Sequence, residues 1–212
     1  MNTVIETLAL VGNTSSTKDK QTILKNNDTD ELRRVLRLAY HPQIRYHIKD
    51  VDIDPAYGLR GDMSLDQSLY VLEETIATRA VTGNRARDVV HQIVNSVPTV
   101  EESEVLRGVV RKDLGIGIST KTINNVFGDL VPDFEKHIML AYPMNEMSQQ
   151  RLRFPAHVQT KMDGARVNAF VDLNANHVQY FTRKGQLLDL DGTHDFPLSR
   201  TLLQAAQSQM PD

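Results

Sequence analysis

The apolar residues of this 212-residue chain change period once, near Pro143, and no fold of a single type accommodates both periods. Before Pro143 they recur at i, i+3, i+4 and i+7, the spacing of one face of a helix. After it they alternate, the spacing of one face of a strand. The expected class is therefore α+β: an all-helical region over 1–147, then a short antiparallel β region over 148–212.

Within the helical region, Leu32, Val35, Leu36 and Ala39 mark one apolar stripe, which Thr29 or Asp28 can cap and Pro42 follows. Val51 to Asp62 holds Pro55, Gly58 and Gly61 and reads as a loop. Ser64 with Gln67 three residues on predicts a capping box, opening a helix that buries Leu65, Leu69, Leu72 and Ile76 and that Gly83 should stop. A helix from about Asn84 to Asn95 turns Val89, Val90 and Ile93 inward, and one from Glu101 to Leu114 turns in Val105, Leu106, Val109 and Val110. A last helical pattern runs through Ile123, Val126 and Phe127.

Met144 to Arg153 is polar and reads as a linker. Phe154-Pro155 opens a strand through Ala156, Val158 and Thr160. Arg166 to Leu173 alternates strictly, with Val167, Ala169, Val171 and Leu173 on one face. Asn174-Ala175-Asn176 turns the chain into a strand from His177 to Thr182, and Lys184-Gly185 turns it again. A helix near Leu198 to Gln207 follows. A meander this short makes a poor core alone.

Composition removes several classes. Hydrophobic residues at 40% and charged residues at 24% are ordinary for a globular chain, and no apolar run is long enough to span a bilayer. Met1 to Val11 lacks a basic leader and a small-residue cleavage pattern, so no signal peptide is expected. Cysteine is absent, which excludes disulfides and thiolate-bound zinc and suits a cytoplasmic protein. The seven histidines are scattered, without an H-E-x-x-H pair, and no structural metal site is expected.

The net charge of −3 does not favour a nucleic-acid partner, but cations cluster locally. Arg33, Arg34 and Arg37 form one group; Arg107, Arg111, Lys112 and Lys121 form another. Each can be a solvated helix face or a phosphate-facing surface. Within the second group, Leu114-Gly115-Ile116-Gly117-Ile118-Ser119 precedes a serine-capped helix. Gly115 and Gly117 can serve a tight corner that needs positive φ, or can expose backbone N–H groups to a phosphate. Flanking Arg111, Lys112 and Lys121 incline that corner towards a DNA backbone.

The string with chemical content is Lys161-Met162-Asp163-Gly164-Ala165-Arg166, between two predicted strands. As a plain hairpin its lysine and arginine would simply be solvated. The same string matches K-x-D-G-x-R, the signature of the covalent nucleotidyltransferases: DNA ligases, RNA ligases and mRNA capping enzymes. A lysine that attacks a phosphorus must be neutral, and lysine shifts its pKa readily when desolvated or placed near other cations. The later Thr182-Arg183-Lys184-Gly185 is similar to the family's S-R-x-G motif, with threonine for serine.

The leading helical region narrows the resemblance to ATP-dependent DNA ligases of the T-even bacteriophage type. Ser15-Ser16-Thr17-Lys18-Asp19-Lys20-Gln21, Ala77-Thr78-Arg79 with Thr82-Gly83-Asn84, and Glu104-Val105-Leu106-Arg107 followed by Arg111 to Ser119 all resemble them. The resemblance implies a DNA-binding domain followed by the start of an adenylation domain. It implies that Lys161 carries AMP, that Gln159 contacts adenine, and that Arg166 and Arg183 hold the nucleotide. Arg111, Lys112, Gly115, Gly117 and Lys121 would meet DNA. ATP and magnesium are the expected cofactors, and nicked duplex DNA the expected partner of a cytoplasmic monomer with no membrane contact. The chain departs from the family at Asp191-Gly192-Thr193, where the ribose-binding glutamate of a D-G-E motif is absent and a turn is expected. The later glutamate, lysine pair and OB-fold domain are not found before Asp212. The chain is therefore expected to be an N-terminal portion, able to act either within a complete enzyme or only as a DNA-binding module. An RNA ligase or capping enzyme is a third, more distant reading.

Overall fold

A computed structural model describes residues 3–48, 61–134, 153, 155, 164–190 and 197–209. They form two compact units, Met1–Asp133 and Phe134–Asp212. The first is helical and the second holds a small antiparallel sheet, so the class is α+β. The expected boundary at 147/148 falls on residues outside those described, as do most of the Val51–Asp62 loop and the strand expected over 156–160.

The helical unit contains α1 (Val4–Gly12), α2 (Thr17–Asn26), α3 (Asp30–Tyr40), α4 (Leu65–Leu72), α5 (Gly83–Asn95), α6 (Val100–Arg111) and α7 (Thr120–Phe127). Short polar side chains start most of them. Thr3 with Glu6, Ser64 with Gln67, and Thr99 with Glu102 are reciprocal capping boxes, while Ser16, Thr29 and Ser119 each accept a backbone N–H. The expected stripes are buried: Leu32, Val35, Leu36 and Ala39 on α3, Leu65, Leu69, Leu72 and Ile76 along α4 and its extension, Val90 and Ile93 on α5, and Leu106, Val109 and Val110 on α6. Val89 and Val105 are only half-buried. One core joins these faces, with α3 packed on α6 and α2 on α7.

Two boundaries differ from the sequence reading. α4 continues into a π-helical turn, Glu73–Ala77, in which the Thr78 N–H donates to the Glu73 carbonyl at 3.3 Å. The chain then leaves the helix at Arg79, which takes the left-handed conformation at φ 62°; Gly83 begins α5 instead of stopping α4. α6 ends at Arg111 and not Leu114, because Lys112 turns left-handed at φ 64°.

In the second unit β1 (Val167–Asp172), β2 (His177–Thr182) and β3 (Leu187–Leu188) form a sheet in that order, antiparallel throughout. β1 stops before Leu173 because the Asp172 carboxylate accepts the N–H groups of Asn174 and Ala175, an Asx turn. On the apolar face of β1, Val167 and Ala169 are exposed and Val171 is half-buried; burial concentrates on Val178, Tyr180 and Phe181 of the central strand. Helix α8 (Pro197–Ser208) packs on β2, with the Tyr180 and Ser199 hydroxyls 2.8 Å apart. Phe181 stacks on Phe134 and meets Phe170 edge-on. Among the described residues no helix is long and apolar enough to cross a membrane.

Candidate nucleic-acid and nucleotide sites

The glycine corner between α6 and α7 is held by two lysines. Lys112 donates its ammonium to the carbonyls of Leu38 at 2.9 Å and His41 at 2.7 Å, at the C-terminal end of α3 where carbonyls lack helical partners. Its charge sits 5.9 Å from the Tyr46 ring, and burial draws its pKa down to about 8. Lys20, on α2, is only 7% exposed, and its ammonium donates to the carbonyls of Ile116 at 2.6 Å and Gly117 at 3.0 Å. Between them Asp113 accepts the Gly115 N–H, and both Gly115 (φ 66°) and Gly117 (φ 59°) are left-handed. The corner thus needs its glycines for conformation. Ser119 then caps α7.

The cations expected on the surface divide into two groups. Arg33 pairs with Asp28, Arg34 with Asp66, Arg37 with Glu73 and Arg107 with Glu104. The Arg33 hydrogen bond holds the Asp28 carboxyl below the usual range, and its guanidinium also lies 5.1 Å from the Phe127 ring. The first arginine cluster is therefore committed to ties within the helical unit. Arg111 and Lys121 are exposed near the glycine corner. Sequence reasoning missed the structural use of Lys20, which nothing in composition or spacing marks. It also missed a cleft of about 380 Å³ lined by His47, Arg79, Thr82, Gly83, Asn84 and Arg87. Its left-handed Arg79 is visible only once the backbone is known.

The residues expected to meet a nucleotide divide as well. Lys161 and Gln159 lie outside the described residues. Arg166 and Arg183 are brought together by strand register. Val167 pairs with Thr182, so the residue just before β1 and the residue just after β2 flank one end of the ladder. Both arginines are exposed. The turn after Arg183 explains its neighbours. The Thr182 hydroxyl accepts the Gln186 N–H at 3.1 Å, a task serine could also perform, and Gly185 sits at φ 78° where a Cβ would collide with the Phe134 ring. Among the described residues no three His, Cys, Asp or Glu side chains converge as metal ligands.

No protein-family model matches the chain. It is 36% identical over 174 residues to the DNA ligase of Enterobacteria phage T4, an alignment covering 79% of this chain and 34% of that protein, and the DNA ligase of Enterobacteria phage T6 gives the same figures. Two solved structures share its fold. One named Pmar-Lig_PreS3 has a TM-score of 0.70 at 22% identity, covering 97% of this chain and 48% of its own. One named Pmar-Lig_Pre. has a TM-score of 0.69 at 21% identity, covering 96% and 47%. The chain spans about a third of the length of the curated relatives it matches. By sequence it is similar to a portion of a DNA ligase of the phage T4 type.

Proposed function

We propose that this chain serves an enzyme that seals nicks in duplex DNA through a lysyl-AMP intermediate, and that Lys161 carries the nucleotide. The observation that carries the reading is the register pair Val167–Thr182, which sets Arg166 and Arg183 at one end of the sheet, with the Lys161-to-Arg166 string leading directly into β1. In this reading residues 148–212 begin the adenylation domain and 1–147 bind DNA. The Lys161 amine attacks the α-phosphorus of ATP. A P–N bond forms, the bond to pyrophosphate breaks, and the amine proton is lost. Arg166 and Arg183 offer cations to the phosphates or ribose, and Gln159 meets adenine. Magnesium would supply charge neutralisation on the triphosphate. AMP then passes to the 5′-phosphate at the nick, and the 3′-hydroxyl displaces it.

The helical domain would hold the nicked duplex mainly through its backbone, using Arg111, Lys112 and Lys121 with the amides around Gly115 and Gly117. Lys112 then acts from beneath, since its ammonium is already bonded to Leu38 and His41. The protein would work as a monomer in the host cytoplasm.

Intact-protein mass after incubation with ATP and magnesium tests this directly. A gain of one AMP in the wild type and none in Lys161→Ala is expected; a gain that persists in the variant sinks the assignment of the nucleophile. No gain in either, with retained salt-sensitive duplex binding, would make this chain a DNA-binding module only.

A further inference from the structure

Lys20 is a cation placed where cations are rarely left: 7% exposed, on a helix, with no carboxylate partner among the described residues. Its bonds go to two successive carbonyls, those of Ile116 and Gly117. A trans peptide is planar, with its C=O and N–H pointing in opposite directions. Turning these two carbonyls inward therefore turns the N–H groups of Gly117 and Ile118 away from Lys20. Gly117 is exposed, and neither amide has a hydrogen-bond partner among the described residues. A side chain at Gly117 could not share this arrangement easily, since its Cβ would lie 3.1 Å from the Lys20 ammonium and φ is 59°. Ile116, only 6% exposed, anchors the same turn in the core beside Gly12.

We infer that Lys20 is a positioning residue for DNA: from inside the helical unit it aims the Gly117 and Ile118 amides at a backbone phosphate and places its own charge behind them. This rests on the reading of the glycine corner as a DNA contact. Two adjacent N–H donors backed by a desolvated cation match the chemistry of a phosphodiester oxygen. The charge reaches the phosphate through one peptide layer without competing for its oxygens. A surface lysine would give charge without direction; Lys20 gives direction first.

The test uses the full 212-residue chain and a nicked duplex at low salt. In ¹⁵N-resolved NMR of the wild type, the Gly117 and Ile118 amide protons should move downfield as duplex is added. Lys20→Met keeps the aliphatic stem and a good helix former. It should retain the helical circular-dichroism signal, bind about tenfold or more weakly, and leave those two amides unmoved. Duplex binding by the wild type with both amides silent overturns the inference alone, whatever the variant does. So does a folded Lys20→Met that binds as tightly as the wild type. Absence of any duplex binding by the wild type overturns it together with the DNA-contact reading beneath it.

Discussion

The two units solve burial differently. In the helical unit, Leu24, Leu32, Leu36, Leu69, Leu72, Leu106 and Ile123 are all 0% exposed, contributed by α2, α3, α4, α6 and α7. In the sheet unit the described core is Val178, Tyr180 and Phe181, all on β2, while Val167, Phe170 and Leu187 on the flanking strands stay between 45% and 61% exposed. A helix hides one stripe, and a neighbouring stripe suffices to cover it. A sheet has two faces and needs a layer on each, and the three strands and one helix among the described residues leave apolar side chains at the surface. The difference teaches where stability should reside: the helical unit is stabilised by its own core, whereas the sheet unit is organised by its turns and by the register that sets Arg166 and Arg183 at one end of the ladder.

The strongest way to break this contrast is a pair of truncations. Leu106→Ala should cost about 2–5 kcal/mol in urea unfolding, because a fully buried leucine leaves a cavity between α3 and α6. Leu187→Ser, at a residue 61% exposed, should cost no more than about 0.5 kcal/mol. Equal losses would mean that the sheet unit is packed as tightly as the helical one.

Much of this contrast is legible in the sequence, for identifiable reasons. Leu32, Val35, Leu36 and Ala39 announce a buried stripe because helical periodicity is a local signal, and Ser64 with Gln67 marks a helix start because the capping box closes within four residues. The same signals stand unread at the start of the chain: Thr3 with Glu6, and Val4, Leu8 and Val11, mark α1. What could not be read depends on distant partners. Gly83 is an obvious helix stop by composition, yet the π-helical turn spends the helix earlier and puts Arg79 in the left-handed position. The lysine-held corner joins Lys20 to residues 96 and 97 positions away, which no local pattern encodes. Of the candidate nucleotide residues, Arg166 and Arg183 were nominated by motif, but their juxtaposition depends on register, and Lys161 and Gln159 lie outside the described residues.

A second, smaller effect sharpens the claim that turns organise the sheet unit. Gly185→Ala meets two penalties: a left-handed backbone at φ 78° and a Cβ driven into the Phe134 ring. The combined cost should be about 1–3 kcal/mol, and it should appear near Arg183 because the turn bonds Thr182 to Gly185 and Gln186. AMP labelling of Lys161 is the readout to pair with it. Lost labelling with the helical unit still folded would tie the turn to the nucleotide site; unchanged labelling would confine the turn to a structural role.

The smallest expected effect concerns what the arginines of the helical unit are for. Arg34 and Asp66 form a 2.7 Å pair between α3 and α4, with side chains 32% and 53% exposed. Such a pair in contact with water should couple by about 0.2–1 kcal/mol in a double-mutant cycle of Arg34→Gln and Asp66→Asn, and less at high salt. If Arg34 is a tie within the fold, Arg34→Gln should leave nicked-duplex affinity within about twofold, since no phosphate loses a partner. Lys121→Gln, beside the glycine corner, should instead weaken binding and flatten its dependence on salt. A reversed outcome, with Arg34→Gln reducing the salt slope and Lys121→Gln silent, would move the proposed DNA surface from the α6–α7 corner to the α3–α4 face. It would also mean that the ion pairs opened by DNA are too weak to hold their arginines, which a coupling near the bottom of that range would permit and one near the top would not.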